Sequence, residues 1–183
     1  DAVHLGAAEA LIPIYQQTNN PTGLASAIEV KLKHEGEGEE RLALLREVAG
    51  LYETNLKEPE RAFERYLAAF EIAPTDERCV EDVERAARAT SGWEAVVGVY
   101  NNAIAAAEQS NDRDLAITLR LRLGRVLVDE VGRVEQALQQ FRAVYETDSE
   151  NADAIGALER LYRQTGGHQE LLGIYETKRD LAS

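Results

Sequence analysis

The sequence predicts an all-α fold: an array of about five antiparallel helix pairs, ten helices in all. Three observations predict it. Ala, Leu, Glu and Arg dominate the 183 residues, and these are strong helix formers. Period-2 runs of Val, Ile and Thr are absent, so no strand is signalled. The chain also matches itself at a fixed offset, the mark of a repeat architecture. Shifted by 75, Leu44 falls on Leu119, Val48 on Leu123, Ala49 on Gly124, Ala62 on Ala137, Tyr66 on Phe141 and Asp76 on Asn151. The register runs on through Val83 and Leu158, Gly92 and Gly167, and Tyr100 and Tyr175. A second offset of 147 lays Ala10, Leu11, Ile14 and Tyr15 on Ala157, Leu158, Leu161 and Tyr162. Leu32 and Ile104 match at 72, so three residues of slack lie between Ala105 and Arg113, at a helix end or loop where insertion is cheap.

Each 75-residue block divides into two pairs of roughly 37 residues. Pair one covers about 1–34, with its turn at Asn19-Asn20-Pro21. Pair two covers about 38–73 and turns near Lys57-Glu58-Pro59. Pair three covers about 76–109, with Ser91-Gly92 at the turn. Pair four covers about 112–147, turning near Gly132, and pair five about 151–182, turning at Gly166-Gly167. Pro59 suits a first helical turn, where its missing N–H has no partner to lose. Pro74 stands just past a helix end. Asp76, Asp112 and Asn151 are placed to cap the next helix. Gly132, Gly166 and Gly167 permit the positive φ that closes a helix. The acidic segment His34–Glu40 reads as a solvated turn, with a hinge as the alternative. The whole of 1–183 reads as one domain, and the missing initiator Met suggests a piece of a longer protein.

The spacing within Leu45–Asp76 carries a family resemblance. Val48-Ala49 and Tyr52 on one helix are followed by Ala62, Tyr66, Ala69 and Pro74. The second copy reads Leu123-Gly124, Leu127, Ala137, Phe141, Val144 and Ser149. This resembles the tetratricopeptide repeat (TPR), in which a large-small pair and an aromatic on the first helix meet Ala, aromatic and Ala on the second. Three features depart from that pattern: a turn one residue longer, Val83, Leu158, Val96 and Leu171 where small residues are usual, and no early tryptophan. The resemblance implies a right-handed α-solenoid whose groove is lined by first helices. It implies groove-facing positions at Tyr15, Arg46, Glu53, Glu84, Arg88, Arg125, Asp129, Glu159, Tyr162 and Arg163. The carboxylate-gripping set of some TPR proteins cannot be assembled, because Arg46 is followed one turn on by Gly50.

Charge narrows the partners. A net charge of −13 disfavours a phosphate-neutralising or anionic-lipid surface. No run of 18 apolar residues signals a membrane span. The single cysteine, Cys79, forbids an internal disulfide and fits a cytoplasmic setting without excluding the periplasm. His4, His34 and His168 lack further ligands at metal spacing. No phosphate loop or nucleophile motif occurs, and Gly36 and Gly38 alternate with glutamates. Trp93 and His168 share a register at the start of second helices, where packing is expected. Cys79 matches Ala154, a small buried position. Arg85, Arg88, Arg160 and Arg163 also recur in register, beside acidic neighbours that read as ion-pair partners. These readings converge on a non-enzymatic, cofactor-free protein-interaction scaffold for another protein or peptide. The alternative is a structural spacer, or an element that self-associates through exposed array ends.

Overall fold

The computed structural model describes residues 2–181. The outermost residues of the expected first and fifth pairs, 1 and 182, lie outside them. Ten α-helices follow in order: α1 (Ala2–Gln17), α2 (Pro21–Leu32), α3 (Glu39–Gly50), α4 (Pro59–Ile72), α5 (Glu77–Thr90), α6 (Trp93–Gln109), α7 (Arg113–Asp129), α8 (Val134–Thr147), α9 (Ala152–Thr165) and α10 (His168–Leu181). No strand occurs among the described residues. The helices form two compact units, 1–99 and 100–183, and the division falls within α6. In the first, α1 packs on α2, α2 on α3, and α4 on both α3 and α5. In the second, α8 packs on both α7 and α9, and α9 on α10.

The repeat register becomes the core. Val48, Ala49, Tyr52, Ala62, Tyr66, Phe70 and Val83 are buried in the first unit. Leu123, Leu127, Ala137, Phe141 and Leu158 are buried in the second. Each large side chain so buried contributes about 1.5–3 kcal/mol. Among the described residues, no polar or charged residue is fully buried. The small position at Gly124 has a steric reason: a Cβ there would lie 2.5 Å from Phe141 Cζ. Cys79 is buried, as its match with Ala154 suggests.

Helix starts follow the expected chemistry. Asp76, Asp112 and Asn151 accept from the N–H groups of Cys79 (3.0 Å), Leu115 (3.1 Å) and Ala154 (3.1 Å). Asn20 does the same for Gly23 at 2.9 Å, a cap not singled out in the sequence. Pro59 opens α4, and Trp93 and His168 open α6 and α10.

Helix ends that close through a left-handed residue show two kinds of closure. Asn19, Ser91, Asn111 and Gly166 adopt left-handed φ values of 49°, 57°, 57° and 76°. The next N–H reaches back five residues: Asn20 to Tyr15, Gly92 to Ala87, Asp112 to Ala107 and Gly167 to Tyr162, at 2.8–3.0 Å. This is a Schellman closure. Pairs two and four differ. Lys57 and Gly132 are left-handed at 58° and 73°, and the next N–H reaches back six residues, from Glu58 to Tyr52 (2.9 Å) and from Arg133 to Leu127 (2.7 Å). The extra residue in these turns is therefore held inside a wider hydrogen-bonded loop. In pair two it follows a π-helical turn, Leu51–Leu56, that continues α3. Gly167 departs from expectation. Its φ is not positive; instead a Cβ there would sit 2.9 Å from Tyr162 Cδ1, so glycine is needed for close approach.

Candidate interaction face

The first helices of the pairs carry most of the residues that the family resemblance points to. In the first unit, four of their side chains and one from α4 join in a single polar network. Arg46 on α3 donates to Asp82 Oδ2 on α5 from Nε (3.0 Å) and Nη2 (2.8 Å). The other oxygen of Asp82 accepts from Arg85 Nη1 at 3.0 Å. Arg85 then forks onto Glu53, Nε to Oε1 and Nη2 to Oε2, both at 2.9 Å. Tyr66 on α4 donates its hydroxyl to Glu53 Oε2 at 2.9 Å. A planar guanidinium suits this two-point grip on a carboxylate.

The electrostatics follow from the contacts. Hydrogen bonds from Arg85 hold the Glu53 carboxyl below its usual range, against the opposing pull of burial, with Tyr66 assisting. Burial, then the Glu53 carboxylate, pushes the Tyr66 phenol up to about 12. The Asp82 hydrogen bond raises Arg46, and the Glu53 hydrogen bond raises Arg85. Burial, aided by Asp76, lifts the Cys79 thiol to about 11, which leaves it a poor nucleophile.

The remaining expected residues occupy varied settings. Tyr15 is half-buried against α2: a Cβ on Gly23 would lie 2.7 Å from its ring. Glu84 pairs with Arg88 at 3.4 Å, and Arg88 stacks over Trp93 at 5.6 Å. Asp129 is exposed at the end of α7. Arg125 meets Asp153 on α9 at 3.1 Å, with both side chains exposed. Glu159 holds Arg163 (2.6 Å) and Lys178 of α10 (2.7 Å), and Lys178 is the main reason its carboxyl lies below the usual range. Arg163 also donates to Tyr175 Oη at 2.7 Å. Tyr162 is only 5% exposed, and its hydroxyl accepts from Arg142 Nε at 2.6 Å. The structure thus joins Arg46 to Glu53 through Asp82 and Arg85, with Tyr66 donating to Glu53, and the expected set had not included these three. Arg85 and Asp82 were legible as ion-pair candidates. Their link to Glu53 spans 32 residues and has no local signal.

Among the described residues, no group of three or more His, Cys, Asp or Glu side chains could hold a metal ion. No described helix is long and apolar enough to cross a membrane. No protein-family model matches the chain, and no curated protein is similar to it in sequence. Solved structures are similar in fold. The nearly identical TPR-like repeats from Podosopora anserina share 18% identity over 97% of this chain and 94% of that one, with a TM-score of 0.52. Their Q17M variant gives 18%, 96%, 93% and 0.50. The MamA protein gives 15% identity, 97% and 91% coverage, and a TM-score of 0.47. At such identities the likeness is one of fold. The chain folds as a divergent, all-α TPR-like repeat array.

Proposed function

We propose that the chain is a non-enzymatic scaffold that binds a partner protein or an extended segment of one along its first-helix face. The observation that carries this reading is the ordering of that face. Arg46, Asp82, Arg85 and Glu53 are fixed by mutual hydrogen bonds yet remain partly solvent-accessible. A face ordered before binding loses less entropy when a partner arrives. The mixed charges suit a partner that offers both signs. The single cysteine, and the lack of a described helix fit to span a membrane, suit a cytoplasmic setting.

Peptide display against the intact chain tests the reading. Enriched peptides should bind the purified protein, and Arg46→Ala or Arg85→Ala should weaken that binding. If no sequence is enriched over a control helical bundle, the reading fails. A second reading, self-association, is favoured by one observation: on α10, Leu172 is 59% and Leu181 49% exposed. Sedimentation at several concentrations tests it, and a strict monomer removes it.

A further inference from the structure

The two copies of the double hairpin share a register but differ in chemistry on their first-helix faces. At the offset of 75, Arg46 becomes Leu121, Glu53 becomes Val128, Tyr66 becomes Phe141 and Asp82 becomes Ala157. One member of the network survives, since Arg85 corresponds to Arg160. Arg85 is gripped by Glu53 and Asp82. Arg160 is exposed and has no hydrogen bond or ion pair among the described residues.

An open cleft of about 280 Å³ lies beside Arg160, lined by Arg125, Phe141, Asp153, Gly156 and Ala157. Phe141 closes its base from within the core and is only 1% exposed. Gly156 stands in the interior of α9, where glycine costs about 1 kcal/mol relative to alanine. A Cβ at Gly156 would meet nothing within 4 Å, so the packing of the fold does not require a glycine there. Glycine does allow another backbone to approach closely. Arg125 is 56% exposed and its partner Asp153 66%, a pairing loose enough to open toward a ligand.

We propose that this cleft, between α7 and α9, binds an extended segment of a partner protein through an aspartate or glutamate side chain. Arg160 takes the carboxylate, a flanking apolar group rests on Ala157, and the segment's backbone crosses Gly156. The first copy shows the arrangement already filled: Glu53 occupies Arg85 through two 2.9 Å contacts. A partner supplies in trans what the second copy has lost. The inference rests on the interaction-scaffold reading and names the chemistry of its partner. The net charge of −13 opposes an acidic partner at long range, but most of that excess lies in residues 1–99. Screening over about 8 Å at physiological salt leaves the local arginines to dominate at contact.

The test is an NMR titration of the intact chain with acetyl-Ala-Leu-Glu-Leu-Ala-amide and with the same peptide carrying Gln for Glu. With the Glu peptide, resonances of Gly156, Ala157, Arg160 and Arg125 should move. The Gln peptide should bind about tenfold more weakly, as expected for loss of one charge-assisted contact. Arg160→Gln should cause a similar loss, and Gly156→Leu should abolish binding while leaving the circular dichroism spectrum unchanged. Equal binding of the two peptides, shifts confined to other residues, or no shift at millimolar peptide would overturn the proposal. If displayed peptides bind but ignore both Arg160→Gln and Gly156→Leu, the scaffold reading stands and this inference falls. If no displayed peptide binds, both fall.

Discussion

Lys57→Gly and Ser91→Gly should stabilise the protein, and the repeat supplies its own control. Lys57 and Ser91 hold left-handed φ values of 58° and 57°, while their counterparts at the 75 offset, Gly132 and Gly166, hold 73° and 76°. The same closure is thus built with and without a Cβ. A left-handed L-residue costs about 1–2 kcal/mol. Glycine returns about 0.4–1 kcal/mol of that by loosening the unfolded chain. The net gain is about 0.5–1 kcal/mol per site. The reverse changes, Gly132→Ala and Gly166→Ala, should lose a similar amount through backbone strain, because a Cβ at either position meets nothing within 4 Å. Lys57 lies near enough to lower the Glu53 carboxyl, so removing its charge subtracts from the gain. Ser91 carries no charge and is the cleaner site. Urea denaturation is the assay. With a slope of about 2 kcal/mol/M, each stabilising change should raise the midpoint by roughly 0.3–0.5 M at constant slope. A lower midpoint for Ser91→Gly, or no effect of Gly166→Ala, would refute the strain argument.

Gly124→Ala should destabilise by about 1–3 kcal/mol, less the helix-propensity gain, because the new methyl overlaps the buried Phe141 ring; thermal melting measures it, and a neutral result would mean the ring moves freely. Glu53→Gln should flatten the acid limb of stability. The folded Glu53 carboxyl lies below its usual value, so its contribution is complete above about pH 4.3 and is lost as pH falls through the depressed folded value. The variant should therefore lose less stability than the parent between pH 6 and pH 3, and parallel curves would count against the network. Tyr162→Phe should cost about 0.5–1.5 kcal/mol by removing the hydroxyl that serves Arg142, against about 3–5 kcal/mol for Tyr162→Ala, which empties a core site. Cys79 should resist alkylation at pH 8 in the native state and react on unfolding, and rapid native labelling would contradict its burial and its raised thiol pKa.

Much of the fold was legible because it rests on local chemistry and periodicity. Val48, Ala62, Tyr66 and their 75-offset partners signal a buried stripe, and Asp76, Asp112 and Asn151 announce helix starts. What was hidden depends on geometry across helices. The longer turn at Lys57 was readable as one extra residue, but a six-residue closure and a π-helical turn at Leu51–Leu56 have no distinct composition. Gly167 was read as a conformational glycine because two adjacent glycines suggest positive φ, whereas only Gly166 takes it and Gly167 makes room for Tyr162. The candidate face was the least readable part. Arg46, Glu53, Arg85 and Asp82 are ordinary charged residues until α3, with its π-helical continuation, and α5 bring them together.

The two kinds of helix closure also bear on how such an array could be lengthened. Counting only the turns inside the hairpins, the wider loop returns at Lys57 and Gly132, and between them comes the tighter one at Ser91. A designer who spliced in a single hairpin of about 37 residues would set two like closures side by side and break that alternation. Splicing in the full 75-residue block keeps it. The natural module for extension or shortening of this protein is therefore the four-helix block, and engineered variants that differ by whole blocks should fold where those that differ by half a block misalign.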